Sequence, residues 1–305
     1  MKESAAEIYA LIGYPVKHSL SALMHNAAFK ALNINAEYRL FEVTPEKLED
    51  FLFGNLQVSD VQGEVSINSR EIAGFNITIP HKVRALELAS LVKEITVVQN
   101  ASVLLSGAIN TVKRGNGKLF YHNTDIEGFM KSLREDLKFD TRNKNAFLFG
   151  CGGAGRAVIA ALTLEGTGIK KIYVYEKNKE TINVAEKHFN LKEKLEFISA
   201  EQISDKLKDS DLLVNASPVG LKEGDGSIIE NNLLHLGLFV YDLVYNRKTQ
   251  LIKDAEQLGL SAIGGLGMLL YQGAAAFEIW STPRKAPIEL MRQALEKGLG
   301  QCRMR

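Results

Sequence analysis

The stretch Ala146-Phe147-Leu148-Phe149-Gly150-Cys151-Gly152-Gly153-Ala154-Gly155-Arg156-Ala157-Val158-Ile159 decides the fold. Residues 146–149 are an apolar run of strand length, the residues after the glycines open a helix that runs to Glu165, and the turn between satisfies G-x-G-x-x-G. In that setting the pattern has a physical meaning. Glycines let the chain turn sharply and come close to a pyrophosphate, whose charge meets the free N–H groups and positive end of the helix. A glycine-rich turn without a ligand would share the pattern. Gly150, Gly152, Gly153, Ala154 and Gly155 are the candidate dinucleotide-binding residues.

Downstream, apolar runs at Lys171–Tyr175, near Leu195–Ile198, at Asp211–Asn215 and at Phe239–Leu243 alternate with helical patterns. That alternation predicts a parallel, doubly wound sheet of Rossmann type. Glu176 lies at the end of the strand after the glycine turn, 21 positions past Gly155, close to where an acid hydrogen-bonds a ribose 2′-OH. It favours NAD, whereas Lys177 and Lys179 beside it would attract the 2′-phosphate of NADP; Glu176 could also be a solvated strand-end charge. The segment from Asn215 through Ala216, Ser217 and Pro218 to Gly220 sits at the carboxyl edge of the same sheet, where such folds bind ligands, though a plain turn has the same composition.

Upstream the chain is also α/β. Ile8–Ile12 reads as a strand, Leu20–Leu32 as a helix and Ala36–Val43 as a strand, with Thr44-Pro45-Glu46 as the N-cap and first turn of the next helix. Residues 51–71 are polar and irregular and predict at least one surface loop. Gly74–Ile79 reads as a strand, Pro80 starts a helix, and Thr111–Tyr121 folds back as a hairpin around Arg114-Gly115-Asn116-Gly117. A helical pattern covers Ile126–Leu137, and the last forty residues, rich in Ala, Leu and Met, predict helices lying against the first domain. At 305 residues two domains are expected: an N-terminal α/β substrate-binding and catalytic domain of residues 1–124 and 266–305, and a dinucleotide-binding domain of 125–265.

Composition narrows the function. Thirty-seven Lys and Arg against 36 Asp and Glu give a formal charge of +1, which removes the electrostatic case for nucleic-acid or membrane-surface binding and points to small molecules. The two cysteines, Cys151 and Cys302, have no metal-ligand spacing and suit a reducing cytoplasm. No segment approaches the roughly 18 apolar residues of a membrane span, and no export signal or anchor is expected. His18, His25 and His81 lack a fourth ligand at sensible spacing, so no metal is expected.

Three short segments carry more polar chemistry than loops of their length need: His18–Ser21, Gly74–Lys82 and Ala108–Thr111. With residues 13–29 (GYPVKHSLSALMHNAAF), HNTD at 122–125, the glycine turn and GLGMLLYQGAAAFEIW at 265–280, they resemble, in order and over nearly the whole chain, the signature segments of the shikimate dehydrogenase family. The resemblance implies an NAD(P)-dependent oxidoreductase acting on a CH–OH group, interconverting shikimate and 3-dehydroshikimate in the chorismate pathway of aromatic amino acid biosynthesis. It implies a monomer or homodimer in the cytoplasm, with no nucleic-acid or membrane partner. By the same resemblance Ser19 and Ser21 hold the substrate carboxylate, Tyr245 reaches toward it, and Asn76, Asn110 and Gln272 bind ring hydroxyls with Thr78 beside them. Lys82 and Asp125 are the implied catalytic pair, themselves in contact with substrate. Met268, Gly265 and the loop at Ala216 and Ser217 flank the nicotinamide.

The chemistry asks for such groups. Oxidising a secondary alcohol requires a hydroxyl proton to leave as hydride departs, and a positioned amine can take it and return it in reverse. A carboxylate orients the ammonium by a charge-assisted hydrogen bond, and the cation stabilises developing alkoxide charge. Taken alone, Lys82 would be read as a solvated first-turn lysine, Asp125 as a helix N-cap and the serines as turn residues.

Two departures stand out. Ala22 occupies a position where the family usually has proline, which loosens the loop but keeps both serines. Glu176-Lys177-Asn178-Lys179 replaces the Asn-Arg-Thr of NADP-using members, whose arginine clamps the 2′-phosphate. The segment 51–71 is also enlarged. The resemblance leaves an NAD-dependent quinate/shikimate dehydrogenase as the nearest alternative and a catalytically silent dinucleotide-binding regulatory protein as one of another class. A two-domain dehydrogenase of one-carbon metabolism shares the domain plan but gives no reason for the paired serines, the NTD segment and Gln272 together.

Overall fold

A computed structural model describes residues 5–91, 97–191 and 193–303. The N-terminal residues 1–4, on which the reading for an export signal partly rests, lie outside them. The chain forms two compact units, residues 1–124 with 272–305, and residues 125–271.

The first unit begins with β1 (Glu7–Gly13), α1 (Ser21–Ala31), β2 (Ala36–Glu42), α2 (Leu48–Phe53), β3 (Gln57–Ser59), β4 (Ser66–Asn68), β5 (Gly74–Ile77) and α3 (His81–Leu91). It continues with β6 (Val97–Gln99), α4 (Ala101–Ser106), β7 (Thr111–Gly115) and β8 (Lys118–His122). Six strands make a mixed sheet in the order β2-β1-β5-β7-β8-β6. Alternation along the strands sorts side chains onto two faces. Ala10, Ile12, Phe41, Phe75 and Ile77 join Leu48, Phe51, Ala85 and Leu88 in one apolar core. On the opposite face Tyr9 and Tyr38 meet an aromatic cluster of His25, Phe29 and Trp280, with Phe277 against Phe29. Trp280 Nε1–H donates to the Val112 carbonyl at 2.9 Å and lies where a Cβ on Gly74 would come within 2.6 Å of it. Gly74 is therefore fixed by packing, not by a turn.

The helix expected at Thr44-Pro45-Glu46 starts there, with Pro45 first, but its opening turn and its cap differ from the expectation. Pro45–Lys47 forms a 3₁₀ turn ahead of α2, and the Thr44 side chain makes no capping bond. Proline sets the first φ as expected, but three residues of tight helix precede the α-helical register. The segment 51–71 holds more than the expected surface loop: β3 and β4 pair antiparallel, with Val58 opposite Ile67. Strands this short offer too few alternating apolar residues for a period to be read. The β7–β8 hairpin turns at Asn116 (φ 51°) and Gly117 (φ 70°), the paired positive φ of a two-residue hairpin turn.

The second unit contains α5 (Asp125–Glu135), β9 (Asn145–Phe149), α6 (Gly153–Thr163), β10 (Lys171–Tyr175), α7 (Lys179–Phe189), β11 (Leu195–Phe197) and α8 (Ile203–Lys208). Then come β12 (Leu212–Asn215), β13 (Phe239–Asp242), α9 (Gln250–Gln257), β14 (Ala262–Gly264) and the start of α10 (Leu266–Ser281). Its six strands are all parallel in the order β11-β10-β9-β12-β13-β14. Ala146, Leu148, Val174 and Val214 pack under α5 and α6 on one face, while Phe147, Tyr173, Leu213 and Val240 pack with Leu207, Leu251 and Ala255 on the other. The strand order reverses between β9 and β12, the point at which such sheets bind ligands beyond their carboxyl ends. This unit runs on through Tyr271, past the 265 read from the sequence, because Met268 joins its core and Tyr271 lies under the Lys131 ammonium, 4.9 Å from the ring centre. The remainder of α10 and α11 (Ile288–Arg303) belong to the first unit, where α11 packs on α1.

Candidate active site

In the first unit three polar segments are sewn together by main-chain bonds. Ile77 N–H donates to the Asn110 carbonyl at 2.8 Å, Ile109 N–H to the Lys82 carbonyl at 2.9 Å, and Asn110 N–H to the His122 carbonyl at 3.1 Å. Lys82, half-buried in the first turn of α3, is thereby tied by its own backbone to the residues that lead into β7, Asn110 among them. The antiparallel register sets Asn76 opposite Thr111 and Thr111 opposite His122. Side chains complete the frame.

Asn76 is buried, and its amide donates to the Asn110 carbonyl at 3.2 Å and to Thr111 Oγ1 at 2.9 Å, while its oxygen accepts from the Tyr38 hydroxyl at 2.7 Å. Asn110 Oδ1 accepts from the Thr124 N–H at 2.8 Å and from Thr111 Oγ1 at 2.9 Å. Its Nδ2 donates to Thr124 Oγ1 at 3.0 Å and to Gln272 Oε1 at 3.5 Å. The last bond is at the limit of hydrogen-bond length, so it is the weakest link of the network and the one a ligand hydroxyl would replace at least cost. Asn123 holds the strand end from behind, donating to Ser106 Oγ at 2.8 Å and to the Ala108 carbonyl at 3.0 Å. Thr78, half-buried, shapes the start of α3: its carbonyl accepts from His81 N–H at 2.9 Å.

Ser19 is half-buried and Ser21 buried; Ser19 Oγ accepts from Ser21 N–H at 3.2 Å and donates to Ser21 Oγ at 3.1 Å. The local turn role and a ligand role coexist, since each hydroxyl keeps acceptor or donor capacity. The histidines do not converge. His18 is exposed, His81 Nε2 meets the Val43 carbonyl at 2.6 Å, and His25 stacks on Tyr38 with ring centres 4.3 Å apart. Burial holds the His25 ring far below its usual range, at about 3, so it is neutral.

In the second unit the glycine turn meets its expected requirements. Gly150 has φ +88°, and a Cβ there would lie 3.0 Å from the Ala216 carbonyl group and Ser217 N. A Cβ on Gly155 would lie 2.2 Å from the Gly150 oxygen, whereas one on Gly152 would meet nothing within 4 Å. The first helical bond of α6 is Arg156 N–H to the Gly152 carbonyl at 2.9 Å, so the N–H groups of Gly153, Ala154 and Gly155 precede it and have no helical partner. An open cradle at Gly152, with donors and a helix dipole behind it, fits a dinucleotide pyrophosphate. Glu176, half-buried, closes one side: its carboxylate accepts from Cys151 N–H at 2.8 Å and Asn178 N–H at 2.9 Å. Lys177 is exposed. Burial pushes the Cys151 thiol up to about 12, which makes it packing rather than a nucleophile.

The opposite lip is held by a buried polar cluster in which the sequence reading passed over Asp242 and Thr249. Asp242 accepts from Asn215 Nδ2 at 2.9 Å, Val244 N–H at 3.1 Å and Thr249 Oγ1 at 2.6 Å. Asn215 in turn accepts from Ser217 N–H at 3.0 Å and Ser217 Oγ at 2.7 Å, which fixes the Ala216 loop. Burial raises the Asp242 carboxyl above its usual range, against three donors that favour its charged form. Half-buried Tyr245 follows this cluster directly. Gly265 packs so closely that a Cβ would lie 2.1 Å from the Leu243 oxygen. Met268 is 7% exposed and belongs to the apolar core, so most of its side chain is packing. Asp125, the first residue of α5, is buried. Among the described residues no three His, Cys, Asp or Glu side chains group as metal ligands, and no helix is long and apolar enough to cross a membrane.

This geometry has close counterparts. Residues 11–112 match the shikimate dehydrogenase substrate-binding domain and residues 265–296 the shikimate 5′-dehydrogenase C-terminal domain. The NADP(+) shikimate dehydrogenase of Methanopyrus kandleri is 39% identical over 303 residues, 96% of each chain. The chain belongs to the shikimate dehydrogenase family. Among solved structures, the shikimate dehydrogenase of Aquifex aeolicus superposes with a TM-score of 0.79 at 32% identity, covering 96% of this chain and 99% of that one. The shikimate 5-dehydrogenase of Listeria monocytogenes, solved with shikimate and NAD, gives 0.75 at 31% identity over 94% and 96%. The expected leaning to NAD gains no support from the names of the curated relatives, which are NADP(+) enzymes. Sequence reasoning quoted Thr111 and Thr124 within the polar segments at 108–111 and 122–125 but gave them no role; Thr111 couples Asn76 to Asn110, and Thr124 braces Asn110.

Proposed function

We propose that this chain is a nicotinamide-dinucleotide-dependent shikimate dehydrogenase in which Lys82 and Asp125 form the catalytic pair. The observation that carries the reading is the sewn frame of residues 76–82, 108–111 and 122–124, which holds buried amides and an amine-bearing helix turn together. A hydroxylated ring acid suits it: Ser21 offers a hydroxyl donor to a carboxylate and Ser19 can turn its own from Ser21 Oγ to join it, and Asn76, Asn110 and Gln272 offer amides to ring hydroxyls, with Thr78 and Tyr245 lining the substrate. Lys82 takes the proton of the hydroxyl under oxidation and returns it in reverse, and Asp125 orients its ammonium. The dinucleotide, when bound, takes up or gives the hydride. Gly150, Gly152, Gly153, Ala154 and Gly155 receive its pyrophosphate, and Ala216, Ser217, Gly265 and the exposed fraction of Met268 border its nicotinamide.

For the finer choice of cofactor we propose NAD, against the names of the curated relatives. The support is local: a carboxylate at Glu176 accepts a ribose 2′-OH and repels a 2′-phosphate, and no arginine stands at 176–179 to clamp one. Glu176→Ala is expected to lower kcat/KM with NAD by about 10-fold or more while leaving or raising it with NADP. The opposite ordering would mean that Lys177 and Lys179 govern the choice. Comparing kcat/KM for shikimate and quinate with both dinucleotides tests the reading as a whole. Shikimate is expected to lead, quinate in the lead would make the protein a quinate/shikimate dehydrogenase, and dinucleotide binding without turnover would make it a silent regulatory protein.

A further inference from the structure

We infer that Tyr38 is a positioning residue for substrate recognition, acting through Asn76; the inference rests on the reading of Asn76 as a ring-hydroxyl binder. Tyr38 lies on β2, two strands away from Asn76 on β5, and parallel pairing places Tyr38 beside Tyr9 and Asn76 beside Leu11 on the same face of the sheet. From there its phenol crosses β1 and donates to Asn76 Oδ1 at 2.7 Å, a bond between two side chains that are 1% and 4% exposed. A buried bond of this length contributes rigidity because no water can substitute for either partner.

Three features hold the phenol in place. Asn26 brackets the Tyr38 backbone, its Oδ1 accepting from Tyr38 N–H at 2.7 Å and its Nδ2 donating to the Tyr38 carbonyl at 3.0 Å. The neutral His25 ring stacks on the phenol ring at 14° with centres 4.3 Å apart. Trp280 flanks it, with ring centres 6.0 Å apart.

The consequence lies in what Asn76 has left to offer. Both amide hydrogens are committed, to the Asn110 carbonyl and to Thr111 Oγ1, and one lone pair of Oδ1 is committed to Tyr38. The remaining lone pair of Oδ1 makes Asn76 an acceptor toward a ligand hydroxyl. Reversing the amide would set Oδ1 against the Asn110 carbonyl, so the orientation is forced at one end by that carbonyl and pinned at the other by the phenol. Without the phenol the amide is held from its nitrogen end alone, and Oδ1 is aimed less strictly. Substrate affinity then suffers, while the reacting groups and the dinucleotide turn are untouched.

Tyr38→Phe in the full chain removes the hydroxyl and keeps the ring stack. Two readouts test it. Asn-selective ¹⁵N labelling of the ligand-free protein reports side-chain amide exchange at Asn76, expected to rise at least about 10-fold in the variant. Steady-state kinetics are expected to show KM for shikimate raised about 10-fold, with kcat and the dinucleotide KM within about twofold and Tm nearly unchanged. In an Asn76→Ala background, adding Tyr38→Phe is expected to change KM no further. Unchanged amide exchange overturns the inference, as does a KM rise that repeats in the Asn76→Ala background. Wild-type protein that does not oxidise shikimate would instead defeat the functional reading, and the amide exchange would still decide whether Tyr38 holds Asn76.

Discussion

Lys82→Ala is expected to lower kcat for shikimate oxidation by about 10² to 10⁴, with only a modest change in KM, the range for removal of a general acid/base. The structure makes this a clean substitution. Lys82 is fastened to the site by its carbonyl, which accepts from Ile109 N–H at 2.9 Å whatever the side chain is. The helix start is held by His81 N–H to the Thr78 carbonyl at 2.9 Å, which also does not involve the amine. Alanine has the highest helix propensity, so α3 keeps its stability. What disappears is the amine proposed to exchange a proton with the substrate hydroxyl and to stabilise alkoxide charge. Steady-state rates across pH check the point, and a near-normal kcat in a folded variant would remove Lys82 from the catalytic role.

The second large effect separates two glycines that look alike in the sequence. At Gly152 an added Cβ would meet no atom within 4 Å, and the residue's φ of −70° is open to any side chain. Gly152→Ala is therefore expected to leave Tm unchanged, yet to weaken dinucleotide binding by at least about 10-fold, because the methyl group occupies the space into which the pyrophosphate must come. Gly155→Ala is expected to do the reverse in kind. Its Cβ would stand 2.2 Å from the Gly150 carbonyl oxygen, a backbone atom that cannot step aside without opening the turn. Strain from such overpacking is about 1–3 kcal/mol, so Tm falls as well as affinity. Isothermal titration with NAD and thermal melts of both variants check the contrast. Equal losses of stability in the two would mean that the space at Gly152 is not the cradle.

The dinucleotide half of this fold was largely legible because its signals are local. Strand, glycine turn and helix follow one another within one short segment, and the buried parallel strands read as continuous apolar runs, from Asn145–Phe149 to Phe239–Asp242. The first unit was less so. Strand β6 and helix α4 were not read at all, since three and six residues are too few for a period to show. The β3–β4 pair passed as loop for the same reason. Ser19, Asn76, Asn110 and Lys82 were identified by resemblance, and the structure adds how Asn76, Asn110 and Lys82 are joined. That joining was hidden because it depends on register: Asn76 meets Thr111 only through the β5–β7 pairing, and Tyr38 meets Asn76 only across an intervening strand. The Asp242, Asn215 and Thr249 cluster was hidden likewise, its members being 27 and 7 positions apart along the chain from Asp242.

Mixing the purified protein with shikimate and either oxidised dinucleotide, and following absorbance at 340 nm, tests the proposed oxidation of a hydroxylated ring acid. A sustained, enzyme-proportional rise with shikimate is expected, faster with NAD than with NADP and lowered to about 10⁻² of its rate or less by Lys82→Ala. No rise with either dinucleotide, in protein shown by titration to bind one of them, would contradict it.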